Sequence, residues 1–212
     1  MNDGYVKMWD NWSKRRSGIP AYDLWLDNYK SILDDNKNKE ILDLGCGIGA
    51  DTLYLLERGY KVLSCDFSNE ALESIKENIP NSRTLYLDMR NVFPFGDNTY
   101  SLIIADLSLH YFDNETTIHI MREIKRVLTN NGILLARVAS VNDFNFGAGV
   151  GELLEKNYYF EGDYTKRFFD IEDVNKYFSM IGAVEAKEAE MIRNEEEYSK
   201  PKKLYMIRVK KV

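Results

Sequence analysis

Cysteine, histidine and proline are all scarce in this chain of 212 residues, which holds two Cys, two His and four Pro. Two cysteines cannot build a disulfide framework or a zinc-binding set, and two histidines exclude a histidine-rich metal site. Cys46 and Cys65 are therefore expected as free thiols in a reducing, cytoplasmic setting, with no metal bound. No apolar run approaches the roughly 18 residues of a membrane span. Residues 1–10 are polar and aromatic, unlike a secretory leader. Cations are outnumbered, 28 Lys and Arg against 34 Asp and Glu, a net charge of −6. That balance argues against a general nucleic-acid binder and leaves room only for a local basic patch. What is present is core material: 44% hydrophobic residues, 13% of all residues aromatic. Length and composition predict one folded domain and exclude a disordered chain.

Short apolar runs alternate with helical patterns. Tyr22, Trp25, Leu26, Tyr29, Ile32 and Leu33 form a helical stripe over 21–34. A strand over Glu40 to Leu44 runs into a glycine loop, and a helix opens near Ala50 and stops near Gly59. The pattern repeats with a strand ending at Asp66, a helix capped by Ser68 or Asn69, and a strand ending at Asp88. It continues with a strand from Tyr100 to Asp106, a helix opened by Asp113 or Asn114, and a strand from Ile133 to Ala139. Strands alternating with helices imply a parallel sheet with right-handed crossovers. The tail differs: 140–167 is aromatic and glycine-rich without period, and Asp170 caps a helix. Stretches near 183–192 and 203–211, separated by 193–201, should pair antiparallel. The expected fold is α/β and Rossmann-like: a doubly wound sheet, mostly parallel, with an antiparallel C-terminal hairpin. Leu204 to Val209 is expected either as an exposed, dimerising edge or as a covered strand, so the chain is a monomer or a homodimer.

Gly45, Gly47 and Gly49 sit between a strand and a helix, where backbone can approach a ligand and free N–H groups await it. Gly45-x-Gly47-x-x-Ala50 fits the loose dinucleotide fingerprint. Asp66 at the end of the next strand is placed to accept from ribose hydroxyls. Asp43, just before the first glycine, would repel a pyrophosphate and attract an amino group or sulfonium. That favours a cationic ligand over a nicotinamide dinucleotide.

The run Ile41-Leu42-Asp43-Leu44-Gly45-Cys46-Gly47-Ile48-Gly49 resembles motif I of the class I S-adenosylmethionine-dependent methyltransferases. The resemblance extends through Asp66-Phe67, Asp88-Met89, Tyr100 to Asp106, Leu109 to Phe112, and Glu123 to Gly132, covering residues 38–140. Asn131-Gly132 departs mildly from the Pro-Gly or Gly-Gly pair of most members. Beyond 140 the tail is broadly similar to the tellurite-resistance type of small methyltransferase. The resemblance implies a seven-stranded sheet and S-adenosylmethionine as methyl donor, with S-adenosylhomocysteine as product. It implies that Gly45, Cys46, Gly47 and Gly49 wrap the methionine moiety and that Asp43 faces its amino group. It places Asp66 on the ribose, Phe67 and Met89 on the adenine ring, Asp88 on the adenine amino group, and Asp106 and Leu107 at the methionine side. It divides the domain into an N-terminal lid segment (1–37), a cofactor core (38–140) and an acceptor-side remainder (141–212).

In-line methyl transfer needs positioning and exclusion of water more than acid–base groups. Two residues are candidates for catalytic or acceptor roles. His110 is either a general base or a structural histidine, and Arg137 is either paired with a carboxylate or a clamp for a substrate anion. Tyr5, Trp9 and Trp12 show no clear period and are candidates for a lid. The expected function is methyl transfer to a small-molecule acceptor, with no membrane and no nucleic-acid partner. Competing readings are a protein or RNA methyltransferase, a nicotinamide oxidoreductase, and a non-catalytic S-adenosylmethionine-binding protein. The first of these needs the terminal lysines, Lys200, Lys202, Lys203, Lys210 and Lys211, to reach the cleft.

Overall fold

The computed structural model describes residues 3–16, 18–191 and 200–212, with side chains from residue 7 onward. Strands β1 (Glu40–Leu44), β2 (Lys61–Asp66), β3 (Arg83–Tyr86), β4 (Tyr100–Asp106) and β5 (Leu128–Ala139) form the parallel part of the main sheet. Three short strands follow: β6 (Glu152–Glu155), β7 (Tyr158–Phe160) and β8 (Thr165–Arg167). Strands β9 (Gly182–Met191) and β10 (Lys202–Lys211) return to the main sheet, giving the order β3-β2-β1-β4-β5-β10-β9. The connections reverse direction between β1 and β4, and in such sheets a ligand crevice lies beyond the carboxyl ends at that point. The antiparallel hairpin is β9 and β10 as expected. Its strand β10 pairs with β5 on one side and β9 on the other. Leu204 to Val209 is therefore an interior strand, and its apolar residues Leu204, Ile207 and Val209 are buried.

Period-two alternation sends successive side chains to opposite faces of the sheet. Leu42, Leu44, Ile103, Ala105, Leu134 and Ala136 join one core, under helices α5 (Asn114–Val127) and α6 (Ile171–Phe178). Ile41, Leu102, Ile104 and Leu135 join the other, with Trp25, Leu33 and Tyr54 from the N-terminal segment and α3 (Ala50–Glu57). The stripe at 21–34 splits into a 3-10 turn (Trp25–Tyr29) and helix α2 (Lys30–Asp35), and it buries Trp25, Leu26 and Leu33. The capping residues act where expected. Ser68 accepts from the Ala71 N–H at the start of α4 (Asn69–Asn78), Asp113 from Thr116, and Asp170 from Asp173. Each such cap contributes about 1 kcal/mol.

Three parts depart from the sequence reading. The segment beginning at Asp3 is a helix, α1 (Asp3–Lys14), despite its irregular aromatics; the Tyr5 side chain lies outside the described residues. Strand β5 begins at Leu128, five residues earlier than expected, because the turn at Asn131 (φ 61°) is absorbed into the ladder. The stretch 140–164 is not one long loop: β6, β7 and β8 build a separate antiparallel sheet, with Gly147, Gly149, Gly151 and Gly162 all at positive φ in its turns. The Arg167 N–H donates to the His110 carbonyl oxygen at 2.7 Å, which docks this small sheet over the end of β4. The separator 193–201 falls largely outside the described residues.

Candidate active site

A cavity of about 890 Å³ opens at the carboxyl ends of β1, β2 and β4. Its floor is the glycine loop. Gly45 has φ +75°, and a Cβ built there would lie 2.3 Å from the Ser108 Cβ. Gly49 caps α3 in the left-handed region, φ +92°, and a Cβ there would meet Ile75 and Ile79 at under 3 Å. Gly45→Ala should therefore cost about 1–3 kcal/mol through strain and the clash with Ser108. Urea denaturation checks this, and unaltered stability would contradict the geometry.

Acids crowd this end. The Asp43 carboxylate accepts from the Thr52 hydroxyl at 2.8 Å, and Thr52 shares a 2.7 Å bond with Ser64. Burial pushes the Asp43 carboxyl up to about 7; the Thr52 bond works against this, while Asp106 and Asp66 add to it. Asp51, in the first turn of α3, accepts from the Trp25 indole N–H at 2.9 Å. Its carboxyl is pushed well above the usual range by burial, with Asp106 and Asp43 adding to it. Asp66 accepts from the Gly47 and Ser68 N–H groups, both at 2.9 Å. Burial raises it as well, against those backbone bonds. Carboxylates held this way are destabilised as anions, and a cation among them would relieve all of them together.

Helix α1 roofs the cavity. The Ser68 hydroxyl donates to Asp10 at 2.6 Å, and the Trp9 ring packs edge-on against Tyr111 at 4.8 Å. Trp9 also approaches Trp12 at 5.8 Å and Tyr164 at 6.5 Å, so the far half of the cavity is aromatic.

Of the residues assigned to a cofactor from sequence, Asp43, Gly45, Cys46, Gly47, Asp66, Phe67, Met89, Asp106 and Leu107 all line this cavity. Leu107 itself holds a left-handed φ of 51° and donates its N–H to the Arg137 carbonyl at 3.0 Å. Gly49 does not line the cavity and acts as the helix cap. Nor does Asp88, whose carboxylate is gripped by the Arg90 guanidinium, with Nε at 2.7 Å.

The two catalytic candidates are placed elsewhere. His110 is fully buried and does not line the cavity. Its Nδ1 faces the Ala139 N–H at 3.4 Å, and burial holds the ring well below its ordinary pKa, aided by Lys166 and Lys202. A neutral imidazole bound to backbone supports the chain at that point and is not positioned to take a proton from an acceptor. Arg137 likewise does not line the cavity. Strand register sets it beside Asp106, which it grips with Nε at 2.6 Å and Nη2 at 2.8 Å. Its third donor reaches Asp23 at 2.6 Å, and its guanidinium carbon lies 4.7 Å from the Trp25 ring centroid. The pairing reading holds for Arg137, whose guanidinium faces Asp106, Asp23 and Trp25 rather than this cavity.

Sequence reasoning missed Asp51 and Lys166, and named Lys202 only as one of five terminal lysines that could reach the cleft. Asp51 follows the glycine loop directly, and that position could have signalled it. Lys166 and Lys202 reach the cavity only through the small sheet and the hairpin; among the terminal lysines Lys202 alone lines it.

Residues 41–132 match the methyltransferase domain family. Among curated proteins, the chain is 31% identical over 123 residues to the putative methyltransferase YqeM of Bacillus subtilis, covering 56% of this chain and 49% of that protein. It is 27% identical over 203 residues to the probable S-adenosyl-L-methionine-dependent methyltransferase TehB of Haemophilus influenzae, covering 89% and 67%. It is 27% identical over 173 residues to the glycine/sarcosine N-methyltransferase of Aphanothece halophytica, covering 77% and 62%. The chain thus spans about half to two thirds of the length of these relatives. Among solved structures, a methyltransferase from Methanosarcina mazei aligns with a TM-score of 0.70 at 17% identity, over 91% of this chain and 99% of that one. A Burkholderia thailandensis N-methyltransferase, solved with S-adenosylhomocysteine bound, aligns with a TM-score of 0.63 at 15% identity, over 99% and 85%. No helix among the described residues is long and apolar enough to cross a membrane. The cofactor of proteins with this domain is S-adenosylmethionine, and the acidic, glycine-floored end of the cavity fits its cationic methionine portion. Residues 41–132 thus match the methyltransferase domain family, and the chain is similar in sequence to S-adenosylmethionine-dependent methyltransferases and shares the fold of solved ones.

Proposed function

We propose that this chain transfers a methyl group from S-adenosylmethionine to a small-molecule acceptor. The observation that carries the proposal is a single cavity with two unlike ends: clustered carboxylates over the glycine loop, and aromatic rings under α1. Bound S-adenosylmethionine supplies an electrophilic methyl, which passes to an acceptor lone pair as the S–CH3 bond breaks and S-adenosylhomocysteine is left.

The chain's own residues bind, orient and exclude water. Asp43 and its acidic neighbours draw in the cofactor's amino group. Asp66 keeps acceptor capacity beyond its two backbone bonds for the ribose hydroxyls. Phe67 and Met89 pack on the adenine, while Gly45 and Gly47 let backbone approach the methionine. Helix α1 and the small sheet close over the acceptor half, so residues 1–37 act as a lid and 141–212 as the acceptor side. A recessed cavity of about 890 Å³ lined by aromatic rings supports a small acceptor over a protein or RNA. A nicotinamide dinucleotide would bring its pyrophosphate against Asp43, Asp51, Asp66 and Asp106.

The raised Asp43 carboxyl has a consequence for binding. A group with a folded pKa near 7 and an unfolded value near 4 binds extra protons when folded, so its contribution to stability falls as pH rises through that window. A cation at Asp43 favours the carboxylate, so cofactor binding near pH 6 should release a substantial fraction of a proton. Calorimetry in buffers of differing ionisation enthalpy reads this directly. Binding heats that do not depend on the buffer would remove Asp43 from the amino-group role.

Turnover is tested with methyl-labelled S-adenosylmethionine and a panel of small phenols, amines and carboxylic acids. Label transferred to one class of acceptor supports the proposal. Label that appears only in added protein or RNA would contradict it.

A further inference from the structure

Lys166 is 4% exposed, yet it lines the acceptor half of the cavity. Its Nζ donates to the Phe146 carbonyl oxygen at 3.0 Å and lies 4.4 Å from the Phe168 ring centroid. Among the described residues no carboxylate forms an ion pair with it. An ammonium has three donors, so two remain after the carbonyl bond. Glu161 and Asp143 act on this ammonium without an ion-pair contact, and a buried charge without a direct counter-ion is costly unless a ligand supplies one. Strand β8 holds Lys166 there, tied at the next residue by the Arg167 N–H bond to the His110 carbonyl. Burial lowers the Lys166 pKa to about 8, with Lys202 adding to the effect and Glu161 and Asp143 opposing it.

The rest of that wall agrees. Lys202, Arg15 and Arg16 line the same half, and the Lys202 Nζ stands 5.4 Å from the Phe146 ring centroid. The one carboxylate lining it, Glu161, accepts from the Tyr164 hydroxyl at 2.8 Å on one oxygen and leaves the other without a hydrogen bond, so cations outnumber it on this wall. Facing these cations are the rings of Trp9, Trp12, Tyr111 and Tyr164, which present flat apolar surface. Acids at the cofactor end and ammonium at the acceptor end polarise the cavity along its length.

We propose that the acceptor is a planar aromatic anion, its charged group held by Lys166 and its ring packed among Trp9, Trp12, Tyr111 and Tyr164. This rests on the cofactor reading of the other half. Lys166 is thereby the residue that selects the acceptor by charge.

The test titrates three probes of one ring system, naphthoate, naphthamide and naphthylmethylamine, into the full chain saturated with S-adenosylhomocysteine. Naphthoate should bind at least roughly tenfold tighter than the neutral amide, and the amine should bind weakest. Lys166→Gln should erase the preference for the anion, and Lys166→Arg should keep most of it. The unmutated protein gives an independent reading, needing no variant to fold. Naphthoate affinity should fall as pH rises through about 8, where Lys166 loses its proton, while naphthamide affinity stays level. The other titratable groups facing Lys166 are Lys202 on β10, Glu161, Asp143 and His110, and none is expected to reverse that slope. Tightest binding of the amine would overturn the proposal and point to Glu161 as the selector. Equal binding of all three, or none with S-adenosylhomocysteine bound, would also overturn it. Failure of S-adenosylhomocysteine itself to bind would count against the cofactor reading instead, and naphthoate titrated alone would still decide the role of Lys166.

Discussion

Arg137→Met should lower the stability of the chain by about 3–5 kcal/mol, the usual cost of removing one partner from a buried ion pair. Arg137 is 2% exposed and donates three hydrogen bonds to the carboxylates of Asp106 and Asp23. Burial opposes its charge, but Asp106, Asp23 and Asp51 outweigh that and keep the guanidinium protonated. Methionine fills much of the same volume, so the loss would come from two carboxylates stranded beside β4 rather than from a cavity. Arg137→Lys keeps the charge but not the two-pronged grip on Asp106, and should lose less. Equilibrium urea denaturation measures both. A variant as stable as the parent, with weakened acceptor binding, would return Arg137 to the role of substrate clamp.

Asp66→Ala should weaken S-adenosylhomocysteine binding roughly ten- to hundredfold, through loss of charge-assisted hydrogen bonds worth about 1.5–3 kcal/mol. Asp66 also accepts from the Gly47 and Ser68 N–H groups, so alanine would loosen the glycine loop as well. Asp66→Asn separates the two effects. Its amide oxygen can still take one N–H, so the loop is retained, while the charge offered to the ribose is lost. The asparagine variant should therefore fall between parent and alanine in affinity, with stability close to the parent. Unchanged affinity in both would place the ribose elsewhere.

The sheet core, the glycine loop and the acids at strand ends were legible because each depends on local rules. β1, β2 and β4 are short apolar runs, Ser68 and Asp113 cap the helices that follow β2 and β4, and Asp170 caps α6. The parts that escaped depend on contacts far apart in sequence. β6, β7 and β8 are three or four residues long, too short to read from sequence pattern, and their sheet is joined to the rest through the Arg167 N–H bond to the His110 carbonyl. Helix α1 turns its aromatic face to a cavity rather than to the core, so its stripe mixes Trp9 and Trp12 with Met8 and Ser13. His110 and Arg137 looked equally fit for chemistry and for structure. The choice between them lay in burial and strand register, with Arg137 directly beside Asp106 on β4. Lys166 carried no signal at all, since a lysine in a glycine-rich stretch reads as a solvated charge until a strand turns it inward.

Calorimetric titration of the full chain with S-adenosylhomocysteine, and in parallel with NAD, tests the central claim most directly. The two-ended cavity predicts one S-adenosylhomocysteine per chain, proton release near pH 6, and no binding of NAD. Binding of NAD without S-adenosylhomocysteine would contradict it, and would mean that the carboxylates around the glycine loop do not repel a pyrophosphate.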